Sequence, residues 1–454
     1  MYFPLTSAGE RAPPYPGWPT PPLHSPTRSF SRGLTMKLNL LSVTATLALL
    51  LSAPALAQSQ PITLRVTGWG PQDSFKKMND LFMAANPGIK IENSVTPNEQ
   101  SVTVYNARFS AGDAPDVLVT NGVTSPSQWA KAGYLADLSR EPWVKNVIKG
   151  NRPEVFLGGT KAYQFVIENI GVGVYYNKAL LDAAGVKVPQ TYPEFLDAMA
   201  KVKASGKTPL VIGAKLGWGP LMATMMNAVN TIYKSNTQTY DKQLVAGKAK
   251  FDSSAWKQVN QRLVDWAKAG YFDPKLALGI EDFDGVAGEF RAGRAAFIIH
   301  GSWLIDGFKG GSQDANGRTV PALPFAWGFQ SFPGGAAGSK PRTFIFAGLN
   351  FVANAKSKNL DAAKKYINFW ADNIDTYLAA SGGRYASVTT SKYSEAQSAE
   401  FARAVAENRA NLYFINNWNK PGFQEAWYKI LQQMLIDQNV DNAVKAMDTE
   451  FNKK

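Results

Sequence analysis

The sequence predicts an α/β protein made of two units, and three observations lead there. Short runs that are apolar or alternate apolar with polar residues ("PITLRVTGW", "IKIENSV", "APDVLVT") are interleaved with stretches of helical period, the pattern of helices covering a largely parallel sheet. A second series ("GVGVYYN", "PLVIGAK", "AAFIIHG") follows a Gly-rich, weakly patterned stretch that ends near Lys161. With 454 residues, 45% of them hydrophobic and 18% charged, the chain has the length and composition for more than one core.

Each element has its own warrant. Ile62, Leu64 and Val66 alternate through the first strand. Phe75, Met78, Leu81 and Phe82 share one face of the helix that follows Asp73 and Ser74, and Asn86-Pro87-Gly88 ends it. "IKIENSV" is the second strand; "APDVLVT" is the third, reaching Thr120-Asn121-Gly122, and "SQWAKAGYLADL" is helix and turn. In the second series "GVGVYYN" is a strand. The helix "YPEFLDAMAKVKASG" follows, with Thr191 and Glu194 as a capping box and Phe195, Met199 and Val202 as its buried stripe. "PLVIGAK" is a strand running toward Trp218. Helices over "SSAWKQVNQRLVDWAKAG" and "EDFDGVAGEFRAG" precede the strand "AAFIIHG", which ends at Ser302-Trp303. Strand-like "FAWGFQSF" and "RTFIFAGLNFV" surround "PGGAAGSKP", and the remainder is helical in "NLDAAKKYINFWADN" and "FQEAWYKILQQMLIDQ", with "SGGRYASV" as a turn between them. Trp256, Trp266, Trp370 and Trp427 lie on apolar helical stripes and read as core.

The N-terminus stands apart. Residues 1–35 are Pro-rich, contain Glu10 as their only acid and show no apolar periodicity, so they cannot form a packed unit and read as a disordered or mis-assigned extension. From Met36 the pattern is that of a secretory signal peptide: Lys37, an apolar run from Leu38 to Leu51, and Ala55-Leu56-Ala57 before the expected cleavage after Ala57. The expected product is exported to the periplasm. The absence of Cys excludes disulfides, thiolate metal sites and a lipid anchor on Cys. Of the net charge of +13, three units belong to residues 1–57 (Arg11, Arg28, Arg32 and Lys37 against Glu10), leaving +10. These basic residues are scattered on the polar sides of helical patterns rather than gathered, so nucleic acid is not an expected partner.

One tetrapeptide occurs twice, as Gly68-Trp69-Gly70-Pro71 and Gly217-Trp218-Gly219-Pro220. Glycine flanks leave an indole face uncovered and let the backbone turn, so each Trp reads either as a ligand platform or as a core residue at a tight turn. Both follow strands, as Trp303 does. In open α/β sheets ligands sit beyond the carboxyl ends of strands, which places Trp69, Asn121, Trp218 and Trp303 at ligand-facing positions.

The order of motifs resembles the bacterial extracellular solute-binding proteins of ABC importers, in the sugar-binding branch of family 1 that includes maltose-binding protein. The resemblance rests on "FMAANPGIKIE", "ARFSAGDAPDVLVT", "WAKAGYLADLS", "GVGVYYNKALLDAAGV", "TYPEFLDAMAKVKASGKTPL", "FRAGRAAFIIHGSWLI", "WGFQSFPGG" and "GLNFVANAKSKNLDAAKKYINFW", which together span nearly all of residues 61–450. It implies a two-lobed periplasmic-binding-protein fold of type II with the ligand cleft between the lobes. The N-terminal lobe would comprise residues 58–169 and 349–383, the C-terminal lobe 170–348 and 384–454. It also implies a carbohydrate ligand, docking on the transmembrane subunits of an ABC permease, a monomer, and no catalysis or cofactor.

Sugars need hydroxyl partners and flat aromatic faces for their C–H surfaces. The expected ligand-binding set is therefore Trp69, Gln72, Asn121, Glu168, Asn169, Trp218, Trp303, Phe346 and Arg384. Phe344, Phe346 and Trp327 also alternate as core residues do. Arg384 can equally fork onto hydroxyls or make a salt bridge that locks the hinge. Asp116, at the entry to a buried strand, reads as structural. His300 is the only His after Met36 and reads as a hydrogen-bonded core or rim residue. "EDFDG" lacks the ligand spacing of a calcium loop and reads as an acidic helix N-terminus. Alternatives to a sugar are a phosphorylated glycerol or another non-sugar solute bound in the same fold, or an exported glycoside-active enzyme, for which no convincing pair of carboxylates is present.

Overall fold

Three strands in parallel open the fold. In the computed structural model, which describes residues 61–453 except 123, 234–236, 312–318, 408, 413–417, 419 and 421, β1 (Ile62–Gly68) pairs with β2 (Ile89–Val95) and with β3 (Val117–Thr120). The expected signal peptide, its cleavage site and the extension at 1–35 lie outside the described residues. The crossovers are α1 (Gln72–Ala85) and α2 (Asn98–Ala111), and α3 (Thr124–Lys131) follows β3. Phe75, Met78 and Phe82 are buried as expected; Leu81, assigned to the same face, is 41% exposed.

A short α4 (Arg152–Val155) leads into β4 (Gln164–Asn177), twice the length the sequence suggests. Next come α5 (Lys178–Ala183), α6 (Tyr192–Ala204), β5 (Thr208–Val211), α7 (Trp218–Ala228), α8 (Thr237–Val245), α9 (Ser254–Lys268), α10 (Pro274–Gly279) and α11 (Asp284–Arg291). The chain continues through β6 (Ala295–Gly301), α12 (Leu304–Lys309), β7 (Trp327–Gln330) and β8 (Thr343–Ala353). It ends with α13 (Leu360–Asp372), α14 (Ile374–Ser381), α15 (Ala399–Ala406), β9 (Ala410–Leu412), α16 (Phe423–Asp437) and α17 (Val440–Phe451).

The capping box forms at α6. The Thr191 hydroxyl accepts the Glu194 N–H, while the Glu194 carboxylate reaches back to the N–H of Gln190, one residue before the cap. Two helices carry no readable stripe. In α2 only a narrow line through Ser101, Tyr105 and Phe109 is buried, and α7 is buried on every side, which removes the amphipathic period.

The sheet runs β2-β1-β3-β8-β4-β6-β5, with β7 added on β4 and β9 on β8. Its centre is the antiparallel pair β4 and β8, in register from Gln164 opposite Val352 to Val172 opposite Phe344, with irregular pairing between Val166 and Asn169. Two sets of apolar residues pack on the two halves of this pair. Leu64, Phe82, Phe165, Ile167, Ala347, Phe351, Trp370 and Tyr377 belong to the first core. Val172, Phe195, Met222, Trp256, Trp266, Phe297, Phe344 and Trp427 belong to the second. Apolar partners thus change within β4 between Ile167 and Val172, and within β8 around Phe346. A third segment, Tyr385–Val388, lies beside this crossing: Asn169 and Tyr385 exchange backbone hydrogen bonds at 2.7 and 2.9 Å.

Candidate functional site

Each Gly-Trp-Gly-Pro tetrad is a strand-to-helix turn, β1 into α1 and β5 into α7. Their glycines, however, do not leave the indoles bare, as the sequence reading expected. A Cβ on Gly68 would lie 2.2 Å from Cβ of Val119, and one on Gly219 would lie 2.1 Å from the carbonyl oxygen of Gly213. Gly217 has φ of 103° and its Cβ would meet Tyr428 at 2.7 Å. The glycines are there because backbone and side chains close in on the turn, and Gly217 because the chain turns through a left-handed conformation.

The Trp218 indole is accordingly only 9% exposed. It packs on Phe283 (ring centroids 5.0 Å apart), His300 (5.3 Å) and Trp303 (5.8 Å), and Trp303 in turn approaches Phe346 at 6.5 Å. Trp303 folds back over Gly301, where a Cβ would be 1.9 Å from the ring. Trp303 and Phe346 keep part of their surface open. The structure therefore brings Trp218, Trp303 and Phe346 into one aromatic cluster beside the crossing of β4 and β8. Phe283, which completes it, was not singled out from sequence; its position inside the acid-rich "EDFDG" obscured it.

Trp69 belongs elsewhere. It is half-buried against Phe75-side residues of the first core and against the small cluster of Tyr105, Phe109 and Trp129. Gln72, exposed at the start of α1, donates to the Gly70 carbonyl at 3.1 Å. Asn121 is exposed just after β3.

Glu168, Asn169 and Arg384 meet at the crossing. The Arg384 Nε stands 2.8 Å from the Glu168 carboxylate, and one terminal nitrogen donates to the carbonyls of Ser381 and Gly382 at the end of α14. The Tyr377 hydroxyl donates to the same Glu168 oxygen. Burial pushes the Glu168 carboxyl up, against the opposing pull of Arg384 and Tyr377; burial alone would lower Arg384, and Glu168, with Tyr377, Asp306 and Glu395, raises it above its ordinary value. Asn169 exchanges side-chain hydrogen bonds with Asn151 at 2.7 and 2.8 Å and donates to the Ala386 carbonyl. Arg384 forms the salt bridge that was one of the two roles open to it.

The neighbouring charges were not anticipated. Glu395 is 7% exposed, accepts the Gly383 N–H at 2.7 Å and pairs with Lys309 at 2.6 Å. Asp306, in the first turn of α12, has its carboxyl pushed up by burial, with Arg384 and Lys309 pulling down and Glu395 and Asp73 adding to the rise. Gly383 sits where a Cβ would be 1.9 Å from the Ser302 carbonyl oxygen. The segment at Gly383 is thus pressed against the turn that carries Trp303.

The remaining sequence assignments resolve as structure. Asp116 accepts the Arg65 N–H at 2.7 Å and the Ser357 hydroxyl at 2.6 Å. His300 is fully buried, its Nδ1 accepts the Gly301 N–H, and burial pushes its pKa down to about 4, so it is neutral at physiological pH. In "EDFDG", Glu281 accepts the N–H groups of Phe283 and Gly285 at the start of α11, as an acidic helix N-terminus should. Among the described residues no group of three His, Asp or Glu is placed to hold a metal ion, and no helix is long and apolar enough to cross a membrane. A surface groove of about 640 Å³ lies beside the start of β5, lined by Lys203, Lys207, Tyr271 and Arg294 among others, and includes none of the candidate residues.

Comparison with known proteins places this geometry. The sequence profile described as bacterial extracellular solute-binding protein matches residues 68–377. The multiple sugar-binding protein of Streptococcus mutans serotype c is 24% identical over 398 residues, 84% of this chain and 87% of that protein. A probable sugar-binding periplasmic protein of Rhizobium meliloti is 33% identical over 144 residues, 30% of this chain and 34% of that protein. Among solved structures, apo RafE from Streptococcus pneumoniae superposes with a TM-score of 0.71 at 20% identity, covering 87% of this chain and 98% of that one. A protein from work on xylan utilisation by Caldanaerobius polysaccharolyticus superposes at 0.70 with 21% identity, covering 86% and 100%. The fold is the two-lobed α/β fold of these proteins.

Proposed function

The chain belongs to the bacterial extracellular solute-binding proteins, and from that premise we propose that it is the exported sugar-binding component of an ABC importer, capturing an oligosaccharide between its lobes and delivering it to a membrane permease. Relatives named for multiple sugars and for raffinose support a carbohydrate over other solutes. The observation that carries the reading is the convergence of Trp218, Trp303 and Phe346 beside the β4–β8 crossing, with Trp303 and Phe346 still partly open. Aromatic faces of this kind cover the C–H surfaces of pyranose rings.

The crossings of the chain between lobes fall in β4 near Asn169, in β8 near Gly348 and in the segment after Gly383, a placement supported by the change of apolar partners along β4 and β8. Trp69, Gln72 and Asn121 face the ligand from the N-terminal lobe. Trp218, Trp303 and Phe346 face it from the other. Glu168, Asn169 and Arg384 direct their polar groups to one another and to the backbone, so their role is to brace the hinge rather than to hold hydroxyls. Family members bind solutes, and no turnover is part of this proposal. Export follows from the signal peptide cleaved after Ala57, and the working form is a periplasmic monomer that meets the permease's transmembrane subunits.

The test is a titration of intrinsic Trp fluorescence with raffinose, stachyose, xylo-oligosaccharides and diacetylchitobiose, followed by recovery of the sugar. A saturable change with one class, the sugar intact, supports the proposal. Silence toward all of them, with a response to glycerol phosphodiesters, transfers the site to a phosphorylated solute; a cleaved sugar makes the protein an enzyme.

A further inference from the structure

The turn that presents Trp218 has no cap of its own. α7 begins at Trp218 behind Gly217, which has no side chain to accept the first free N–H groups of the helix. The acceptor comes from a distant part of the sequence. Asp282, 1% exposed, takes the Leu216 N–H at 2.6 Å on one carboxylate oxygen and the Gly219 N–H at 2.9 Å on the other. These donors flank Gly217-Trp218, so one carboxylate clamps the backbone on both sides of the indole-bearing residue.

The clamp has a second jaw. The next residue, Phe283, lays its ring on the Trp218 indole at 5.0 Å. The chain just past β5 also comes close to it: a Cβ on Gly213 would lie 2.7 Å from Cα of Asp282. Among the described residues no Lys, Arg or His forms an ion pair with Asp282. A buried carboxylate without a counter-charge is held by its N–H donors and by the positive end of the helix it caps. Glu281, its neighbour, accepts the Phe283 and Gly285 N–H groups at the start of α11. The acid-rich "EDFDG" therefore serves two helices at once.

We propose that Asp282 is a positioning residue for sugar binding, acting through Trp218 by fixing the backbone on either side of it and so the angle at which the indole meets the ligand. This rests on the reading of Trp218 as part of the sugar platform. The consequence is specific: loss of the clamp alters binding only while a Trp occupies position 218.

The experiment compares Asp282→Asn, Trp218→Phe and the double variant in the full chain, using the tightest binder among raffinose, stachyose, xylotriose and diacetylchitobiose as probe. Near-UV circular dichroism without sugar is recorded first. Asp282→Asn is expected to change the Trp bands and to raise Kd about tenfold. In the Trp218→Phe background the same change is expected to move Kd less than about twofold. Equal losses in both backgrounds, or an unaltered Kd and unaltered Trp bands in Asp282→Asn, overturn the inference. Full-strength binding by Trp218→Phe overturns the platform reading itself and the inference with it, and the ligand-free Trp bands then separate the two failures by showing whether the clamp still sets the indole. Where Asp282→Asn does not fold, Asp282→Glu, which keeps the charge and displaces it by one methylene, carries the same comparison.

Discussion

Glu154 offers a sharp test of how the meeting of β4 and β8 is built. It lies in α4, 8% exposed, with Asn151 Nδ2 at 3.3 Å and the Ala347 N–H of β8 as its hydrogen-bond donors. Asn151 is also the partner of Asn169, so this carboxyl belongs to the network at the β4–β8 crossing. Burial pushes its pKa from 4.5 up to about 7, with Asn151 and Ala347 opposing. The folded state therefore holds this proton more tightly than the unfolded chain. Its contribution to stability is fully present below about pH 4.5 and is lost as pH rises through about 7, a loss of roughly 3 kcal/mol. Glu154→Gln keeps the shape and the neutral state at every pH. Urea unfolding followed by Trp fluorescence at about pH 4.5, 6.5 and 8.5, extrapolated to water, is the assay. The variant is expected to match the natural protein at the lowest pH and to exceed it by roughly 3 kcal/mol at the highest. A difference that does not vary with pH, or that favours the natural protein in alkali, refutes the reasoning.

Three further outcomes are expected. His300 has the opposite sign: its folded pKa of about 4 lies below the ordinary 6.5, so its contribution is present above about pH 6.5 and is lost as pH falls through about 4; His300→Asn, read by the same unfolding series, flattens that acid limb. Among glycines, Gly219→Ala forces a Cβ to 2.1 Å from a backbone oxygen and is expected to destabilise by about 2–3 kcal/mol. Gly288→Ala, inside α11 with nothing within 4 Å, is expected to stabilise by about 0.5–1 kcal/mol, and thermal unfolding separates the two. At the crossing, Arg384→Met leaves Glu168 buried without its partner and is expected to lower stability by about 3–5 kcal/mol. The double variant with Glu168→Gln recovers much of that loss, and chemical denaturation of the singles and the double measures the coupling.

Much of the fold was legible in the chain because period and burial coincide. β1, β2, β3, β5 and β6 fall on the apolar runs read from sequence, and α6, α9, α13 and α16 on the apolar stripes. Trp256, Trp266, Trp370 and Trp427 are fully buried on those stripes. α7 escaped because a helix buried all round has no polar face to mark its period, and α2 because its buried line is narrow. At the candidate site, the strand-end position of Trp303 could be read, whereas Trp218 opens α7 well past the end of β5, and Phe283, Asp306 and Glu395 could not be singled out. Their significance arises only from what lies beside them in space.

The sequence by itself determined that an α/β chain alternates strands and helices in two series and sets Trp residues after three of its strands, because local period and turn residues need no partner to be recognised. Tertiary structure alone decided what those residues do. The Gly-Trp-Gly turns are glycine-flanked because Val119, Gly213 and Tyr428 crowd them, not to bare an indole. Arg384 is held by Glu168, and Asp282, just ahead of α11, accepts the Gly219 N–H beside Trp218 from 63 positions along the chain. Contacts over such separations are fixed by the packing of whole elements, and no window of sequence contains both partners.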